Sequence, residues 1–347
     1  MSGGSALVVG AAVALGAACA AVAPERPARE AASPQPASVA APLPSGSDTA
    51  APFLPELLLR EGAWTLTPTL SPDGRLLAFV RWARPRFAGP DSNIQQLYLS
   101  RRARDGAWET PRVVEAFAAH RVDYPHFSPD GRWLYLSSTR PHPGHYGFPD
   151  VPYEDFDLWR VPLAGDTLRW AAAELVPCAD CRQRKTPANW NVRYVANETN
   201  PRLDAAGRLY FWTERAGTGG LRDVYASDPL PGDAGFGPER RLPFNTPARE
   251  SGVAVTRDGG TVVFASEGLG GSGGSDLFRV DRLPGGGWSA PRSLGPRVNS
   301  RYDEGGPELV GDTLLLFTSG RPAPGYTGAD AGEGRLRLSV WGVEWGR

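Results

Sequence analysis

Polar and apolar positions alternate in a hairpin pattern that recurs along the chain. It is clearest in Tyr124–Arg140, where Pro125-His-Phe-Ser128 alternates as a half-buried strand does. Pro129-Asp130-Gly131 supplies turn chemistry, because proline fixes φ, Asp bonds its own backbone and Gly accepts positive φ. The apolar and aromatic run Trp133–Leu136 follows, with the length of a strand and a Ser/Thr boundary. The stretch therefore predicts two antiparallel strands joined by a tight turn.

The same pattern occurs five times, at Thr67–Arg84, Tyr124–Arg140, Asn200–Arg215, Gly252–Glu267 and Gly306–Arg321. The turn returns about every 50 to 80 residues, and repeats of about this length form propellers or arrays, because one small sheet cannot bury its own faces. A third strand follows each hairpin, and a Gly/Trp turn leads into a fourth. We therefore predict an all-β fold, a single β-propeller of five four-stranded blades. A sixth, degenerate blade around the insert Pro177–Val195 is the alternative.

The two ends of the repeat array complement each other. The last unit ends with Leu336–Trp341 and a further short stretch, so it lacks a full outer strand. Pro55–Arg60 has the composition of an outer strand and precedes the first hairpin. We expect Leu57–Arg60 to complete the last blade, because a closed ring leaves no exposed sheet edge. The propeller would then occupy residues 53–347.

The hairpin sequences resemble the WD40-like repeat of TolB-type propellers. The resemblance is carried by SPDGRLLAF from Ser71, SPDGRWLYL from Ser128, TRDGGTVVF from Thr256 and the run Gly270–Leu309, which includes GGSGGSDLF, GGWSAPRSLG and RVNSRYDEGGPEL. It covers about Thr67–Arg321. It implies a bacterial envelope or secreted protein that binds partners through one face of the propeller.

The residues before the propeller are typical of an exported protein. Residues 1–23 are apolar and rich in Ala, Gly and Val, like a signal peptide without the usual basic start. Leu15–Cys19 resembles a lipobox, in which Cys19 would be acylated; an ordinary signal peptide cleaved near Ala23 is the alternative. Residues 24–52 are low-complexity Ala/Pro/Ser and predict a disordered linker. We expect a periplasmic protein or an outer-membrane lipoprotein, which would touch the membrane only through its anchor.

Charge and composition exclude several classes of function. The 347 residues include 37 basic and 38 acidic side chains, so no basic excess indicates nucleic acid. Gly270–Gly274 matches the string of a nucleophile elbow, but a predicted strand follows it where the elbow requires a helix. We therefore expect no catalysis by Ser272. We also expect no cofactor and a monomeric protein.

A cysteine pair and a histidine pair flank the second blade. Cys178 and Cys181 form a C-x-x-C motif, which in an exported chain is typically a disulfide. Free thiols are one alternative. Another is a zinc site that the two cysteines would share with His142 and His145, since two thiolates and two imidazoles suit tetrahedral zinc. The disulfide is favoured, and we expect no bound metal.

Candidate binding residues occur at one end of the predicted blades. The acids Asp123, Glu198, Glu250 and Glu304 open four inner strands. They would surround one mouth of the central channel as a ligand site, or form repeated turn contacts and ion pairs between blades. Pro141–Phe156 and Pro177–Val195 are long connections, and long loops on a rigid scaffold often carry recognition. Candidate contacts in them are Tyr146, Tyr153, Trp190 and Arg193.

Two functions fit these features. The first is a non-catalytic envelope or secreted propeller that binds a protein or a cell-wall glycan. The alternative is a carbohydrate-active propeller, a glycoside hydrolase or lyase that uses acids around the channel. A glycosidase needs two carboxyls of unequal pKa, and no acid outside the repeat stands out in the sequence. Binding is therefore favoured over catalysis.

Overall fold

The computed structural model describes residues 49–83, 95–141, 156–178, 197–214, 221–325 and 338–346. The chain enters the fold through strand β1 (Ala51–Pro52) and the short helix α1 (Pro55–Leu58). Single 3₁₀ turns occur at Glu115–Phe117, Trp170–Ala172 and Pro231–Asp233.

The described strands form five antiparallel sheets; four are built from consecutive segments of the chain, and the fifth is completed by β1. Blade 1 contains β2 (Ala63–Leu70), β3 (Leu76–Ala83), β4 (Gln95–Arg101) and β5 (Arg112–Val113). Blade 2 contains β6 (Val122–Phe127), β7 (Trp133–Ser138), β8 (Asp157–Ala164), β9 (Thr167–Leu168) and β10 (Glu174–Leu175), with both β9 and β10 paired to β8. Blade 3 contains β11 (Glu198–Leu203), β12 (Leu209–Thr213), β13 (Asp223–Pro229) and β14 (Phe236–Arg241). Blade 4 contains β15 (Glu250–Val255), β16 (Thr261–Ser266), β17 (Asp276–Asp281) and β18 (Arg292–Ser293). Blade 5 contains β19 (Glu304–Val310), β20 (Leu314–Ser319) and β21 (Ser339–Glu344).

The five blades stand in a ring around a central axis. The first strand of each blade contacts the first strands of both neighbouring blades, and β19 of the last blade contacts β2 of the first. These first strands therefore line the axis. The predicted all-β, five-bladed propeller is confirmed.

The ring is closed by the N-terminal strand, as predicted, but a different segment provides it. Ala51 and Pro52, at the end of the predicted linker, pair antiparallel with Gly342 and Trp341 of β21. The assignment of Leu57–Arg60 as the closing strand was wrong, because Pro55–Leu58 is helical. Proline favours the first turn of a helix, where no backbone N–H is needed, and Leu58 turns into the core with 1% exposure.

Apolar residues are buried between the blades. The described residues form five buried clusters, and each joins two neighbouring sheets. Both faces of the middle strands are therefore covered. This explains why Leu76–Val80 and Trp133–Leu136 read as continuous apolar runs and not as alternating ones.

Each inner strand contains one β-bulge at the same level. The pairing register between first and second strands slips there in all five blades. One residue at each slip has positive φ, namely Thr67 (46°), Tyr124 (49°), Asn200 (63°), Gly252 (51°) and Gly306 (52°). A bulge re-aims the side chains that follow it. The bulges thus decide which residues face the axis.

Candidate functional site

A cavity of about 440 Å³ opens where the inner strands begin. We call it the mouth. Leu66, Thr67, Asp123 and Tyr124 line it from blades 1 and 2, and Glu304–Gly306 line it from blade 5. Ser251 of β15 also lines it, and further polar side chains come from the connections between strands: Arg222, Glu267, Ser275 and Asp303.

Asp123 is a mouth carboxylate that is held by neutral donors. Thr67 Oγ1 and Gln95 Nε2 each donate to it at 3.2 Å, and the Tyr124 amide donates at 2.9 Å. The nearby Arg121 guanidinium instead bonds Gln95 Oε1, at 2.8 and 3.1 Å. Burial raises the pKa of Asp123, and these contacts only partly offset it. A carboxyl with a raised pKa in a cavity is a typical mark of a functional site.

An aromatic and arginine group forms another part of the mouth wall. The Tyr124 ring stands edge-on to Trp212 at 6.4 Å, and the Arg222 guanidinium lies 4.6 Å from the Trp212 ring centre. Arg222 also pairs with Glu214, Nε to Oε1, at 3.0 Å. Burial and the neighbouring Asp123 raise the pKa of Tyr124 to about 12. The phenol therefore stays protonated and can donate a hydrogen bond to a ligand at neutral pH.

Two of the predicted acids hold the connections between blades. Glu250 accepts hydrogen bonds from the Thr246 amide (2.8 Å), Thr246 Oγ1 (2.7 Å) and Ser266 Oγ (2.9 Å). Glu304 accepts the same set from Ser300 and Ser319, and Arg321 adds an ion pair at 3.1 Å. These contacts match the architectural alternative for the repeated acids. Glu198 is also fully buried, and only Asp123 and Glu304 of the four acids line the mouth.

The two long connections meet at their described ends. The Phe156 amide donates to Asn197 Oδ1 at 2.8 Å, and the Glu198 amide donates to the Phe156 carbonyl at 2.8 Å. The predicted contacts within these connections lie outside the described residues, as do the lipidation candidate and the other potential zinc ligands: Tyr146, Tyr153, Trp190, Arg193, Cys19, Cys181, His142 and His145. Their roles stay predictions.

Cys178 lies at the outer edge between blades 2 and 3. The Phe236 amide of β14 donates to the carbonyl of Pro177 at 2.8 Å. The Cys178 sulfur is disulfide-bonded, and its partner lies outside the described residues. The pairing with Cys181 therefore stays a prediction.

Below the mouth, four side chains meet on the axis. They are Thr69, His126, Arg202 and Glu308, each two residues after the positive-φ residue of its blade. Glu308 Oε1 accepts from Thr69 Oγ1 at 2.8 Å and contacts His126 Nδ1 at 3.2 Å, while Arg202 Nε lies 2.7 Å from Glu308 Oε2. All four are at most 7% exposed. We call them the axial cluster; they fill the channel beneath the mouth.

The hydrogen bonds of the axial cluster define its charge. The Leu203 amide donates to His126 Nε2 at 3.2 Å, so Nε2 must be unprotonated and Nδ1–H donates to Glu308. Burial lowers the pKa of His126 and keeps the ring neutral. Burial alone would raise the pKa of Glu308, but Arg202 and His126 outweigh it and lower that pKa. The cluster is thus a buried Arg–Glu ion pair with a neutral imidazole.

The axial cluster escaped the sequence analysis, which found no acid outside the repeat. The signal was present: Thr69, His126, Arg202 and Glu308 each follow a proline, at Pro68, Pro125, Pro201 and Pro307. The fifth equivalent position is Ala254. This position of the repeat is therefore occupied by five different residue types. Residues that only maintain the blade architecture tend to repeat from blade to blade, so a position that varies in this way indicates a role specific to the site.

The residues that the structure describes offer neither a metal-binding group nor a membrane-spanning helix. Those residues contain no group of three or more His, Cys, Asp or Glu placed to hold a metal ion. None of the described helices has both the length and the apolar character needed to cross a membrane.

Solved structures with similar folds are propeller proteins of several kinds. One is a protein from Agrobacterium tumefaciens assigned as TolB (TM-score 0.43, 16% identity, 82% of this chain and 91% of that chain). Others are a thermostable family-43 glycoside hydrolase (0.49, 9%, 83% and 92%) and an α-L-arabinofuranosidase from Lactobacillus brevis (0.47, 12%, 84% and 94%). No family profile and no curated protein matches the chain. The propeller fold predicted from the repeats is confirmed by the five blades themselves, and these similarities add no argument to it.

Proposed function

We propose that this protein is a non-catalytic envelope or secreted propeller that binds a protein or cell-wall glycan partner at the mouth. The observation that carries the proposal is an open polar cavity above a channel closed by the axial cluster. A ligand that enters the mouth meets a floor of fixed side chains. The volume of the mouth, about 440 Å³, falls within the range of about 300–1,000 Å³ that is typical of ligand pockets.

The lining of the mouth supports recognition by specific residues. Glu250 and Glu304 are occupied by their own connections, and Asp123 lies one residue further along its inner strand than these two acids do. Tyr124 and Arg222 have no counterpart of the same type in the other blades. Such breaks in the repeat favour a ligand role over a scaffold role. A raised-pKa carboxyl, a phenol and a guanidinium on an aromatic ring provide both donors and acceptors.

The place of action is proposed from the N-terminal sequence. Residues 1–23 support export, and Cys19 supports a lipid anchor. The Ala/Pro/Ser-rich residues 24–50 would separate the anchor from the propeller. A periplasmic or outer-membrane location would give the mouth access to envelope proteins and cell-wall glycans.

Site-specific photocrosslinking tests the proposal in the native host. A photoreactive amino acid replaces Glu267, an exposed residue of the mouth, or Asp105, an exposed residue in the turn after β4. We expect a discrete adduct from position 267 only, which mass spectrometry then identifies. The adduct should disappear when Arg222→Gln is added. Equal adducts from both positions, or none from position 267, would contradict binding at the mouth.

Loop shortening tests the role of the two long connections. Deleting residues 143–153 and 182–194 leaves Phe156, Asn197 and Cys178 in place. We expect partner capture to be lost while the melting temperature stays nearly unchanged. Capture that survives both deletions would remove these connections from the site.

The second candidate function is a carbohydrate-active enzyme. It is favoured by one observation, the raised pKa of Asp123 in a cavity that also contains Asp303 and Glu304, because glycosidases pair a protonated with an ionised carboxyl. A panel of polysaccharides would be incubated with the protein and with Asp123→Asn. Turnover by the native protein that is lost in Asp123→Asn would replace binding by catalysis.

A further inference from the structure

We propose that a groove on the side of blade 1 binds a carboxylate-bearing saccharide, separately from the mouth. The groove has a volume of about 580 Å³ and lies between α1 and blade 1. Leu57, Arg60, Arg81, Gln96, Tyr98 and Trp108 line it. It shares no lining residue with the mouth. We call it the side groove.

Arg81 places a positive charge inside the side groove. Its Nη2 donates to the Leu57 carbonyl at 2.8 Å, and the guanidinium lies 4.9 Å from the Tyr98 ring centre and 5.0 Å from that of Phe79. No carboxylate of the described residues pairs with it, and the enclosed Nε has no hydrogen-bond partner. Burial, together with the charge of Arg60, lowers the pKa of Arg81. A ligand anion would supply the missing counter-charge.

Charges around the groove are separated by depth. Arg60, Glu56 and Glu61 are exposed at the rim, while Arg81 is partly buried. Rim charges are screened by solvent and contribute little. A ligand carboxylate beside Arg81 would gain more, since guanidinium–carboxylate hydrogen bonds strengthen away from water. Charge complementarity at the base of the groove therefore favours an acidic ligand.

Aromatic side chains favour a saccharide over an acidic peptide. The Tyr98 ring stacks on Phe79, with a centroid distance of 5.7 Å, and Trp108 is partly buried across the groove. Aromatic rings offer flat apolar faces, which suit the C–H faces of a sugar ring. Gln96 Nε2 donates to the Ala118 carbonyl at 3.4 Å, so its Oε1 can accept from a sugar hydroxyl. The concave shape of the groove also suits a small ligand better than it suits the flat surface of a partner protein.

Calorimetry on the full-length protein tests the assignment with three probes. They are trigalacturonate, neutral maltotriose and triglutamate, each at low and at physiological salt. We expect trigalacturonate to bind most tightly and its affinity to fall with salt. Arg81→Gln should weaken it about tenfold or more, as loss of a charge-assisted hydrogen bond does. Arg81→Lys should lower the affinity for trigalacturonate less than Arg81→Gln does, and Trp108→Ala should also lower it.

Two controls separate this site from diffuse charge and from the mouth. Arg112→Gln removes an exposed arginine of the same blade, and Arg222→Gln alters the mouth; neither should change trigalacturonate binding. Melting temperatures identify any variant that fails to fold, and Trp108→Ala and Arg81→Lys then carry the test. The proposal is overturned by equal binding of maltotriose, by tighter binding of triglutamate, by an equal loss in Arg112→Gln, or by no binding of trigalacturonate.

Discussion

At the scale of single residues, the five left-handed positions of the inner strands limit which residues the sequence can place there. Glycine adopts positive φ without steric cost, but Thr67, Tyr124 and Asn200 do not. Each of these three has a task that glycine could not perform. Thr67 Oγ1 bonds Asp123, Tyr124 lines the mouth, and Asn200 Oδ1 accepts from the Val253 amide. The strain is accepted where a side chain is needed.

The two glycines among these five positions, Gly252 and Gly306, are also constrained by close contacts with neighbouring atoms. A Cβ on Gly252 would lie 2.8 Å from the backbone N of Gly306, in the next blade. We expect Gly252→Ala to lower the free energy of unfolding by about 2–4 kcal/mol, through clash and positive φ together. Urea denaturation measures the change. Gly270→Ala is the matched control, because Gly270 also has positive φ but faces open space; equal losses in both variants would leave no role for the contact.

His126 makes stability depend on pH. Its pKa in the fold is lowered from 6.5, so below that value the unfolded chain binds more protons than the folded one. This contribution is present above pH 6.5 and is lost as the pH falls below it. The lowered pKa of Glu308 extends the loss below pH 4.5.

We therefore expect the free energy of unfolding to fall as the pH drops below 6.5, and the fall to be smaller in His126→Gln. Urea denaturation at a series of pH values measures it. His120→Gln removes the other described histidine and should keep most of the slope. A slope that is unchanged in His126→Gln would contradict the neutral, buried imidazole.

At the scale of elements, the hairpins were predictable and the closing strand was not. The Asp-Gly turns recur with flanking apolar runs, so local chemistry alone marks them. Pro55–Leu58 is a short apolar run, and hydrophobic periodicity alone cannot decide whether so short a run forms a helix or a strand. Ala51–Pro52 carries no strand signal at all, and only its pairing with β21 makes it a strand.

Truncation from the N-terminus tests the closing strand. Removing residues 1–48 should leave the melting temperature unchanged, because β1 remains. Removing 1–53 deletes β1 and Phe53, which is 2% exposed, and should cost about 3 kcal/mol or more. Removing 1–62 also deletes α1 and should cost more still. Equal melting of all three truncations would contradict closure by β1.

At the scale of the molecule, the axial cluster joins blades that are not neighbours. Glu308 of blade 5 contacts His126 of blade 2 and Arg202 of blade 3 across the axis. Sequence could not show this convergence, because the bulges break the two-residue alternation that assigns side chains to faces. The mouth was partly predictable, since Asp123 and Glu304 were found from their positions in the repeat. Tyr124 and Arg222 were missed because they come from different blades, and only the packing of those blades brings them close together at the mouth.

Breaking the central ion pair tests how much this link contributes. Glu308→Gln leaves Arg202 buried and uncompensated, which should cost about 3–5 kcal/mol. Asp233→Asn is the matched control, because it breaks an ion pair with Arg132 in which both side chains are half exposed; we expect a loss of about 1 kcal/mol or less. Chemical denaturation measures both. Similar small losses would show that the blades do not depend on the axial pair.

The closing strand β1 has a mechanical consequence. Residues 1–48 precede it, so tension on an anchored N-terminus reaches the propeller first at Ala51 and Pro52, which pair with only two residues of β21. A pull that peels so short a strand breaks its hydrogen bonds one after another. Under load the last blade would therefore give way first, while the other four blades still hold. In optical-tweezer records, pulling from the N-terminus should show an early, small extension that disappears when the handle is moved to Gly285.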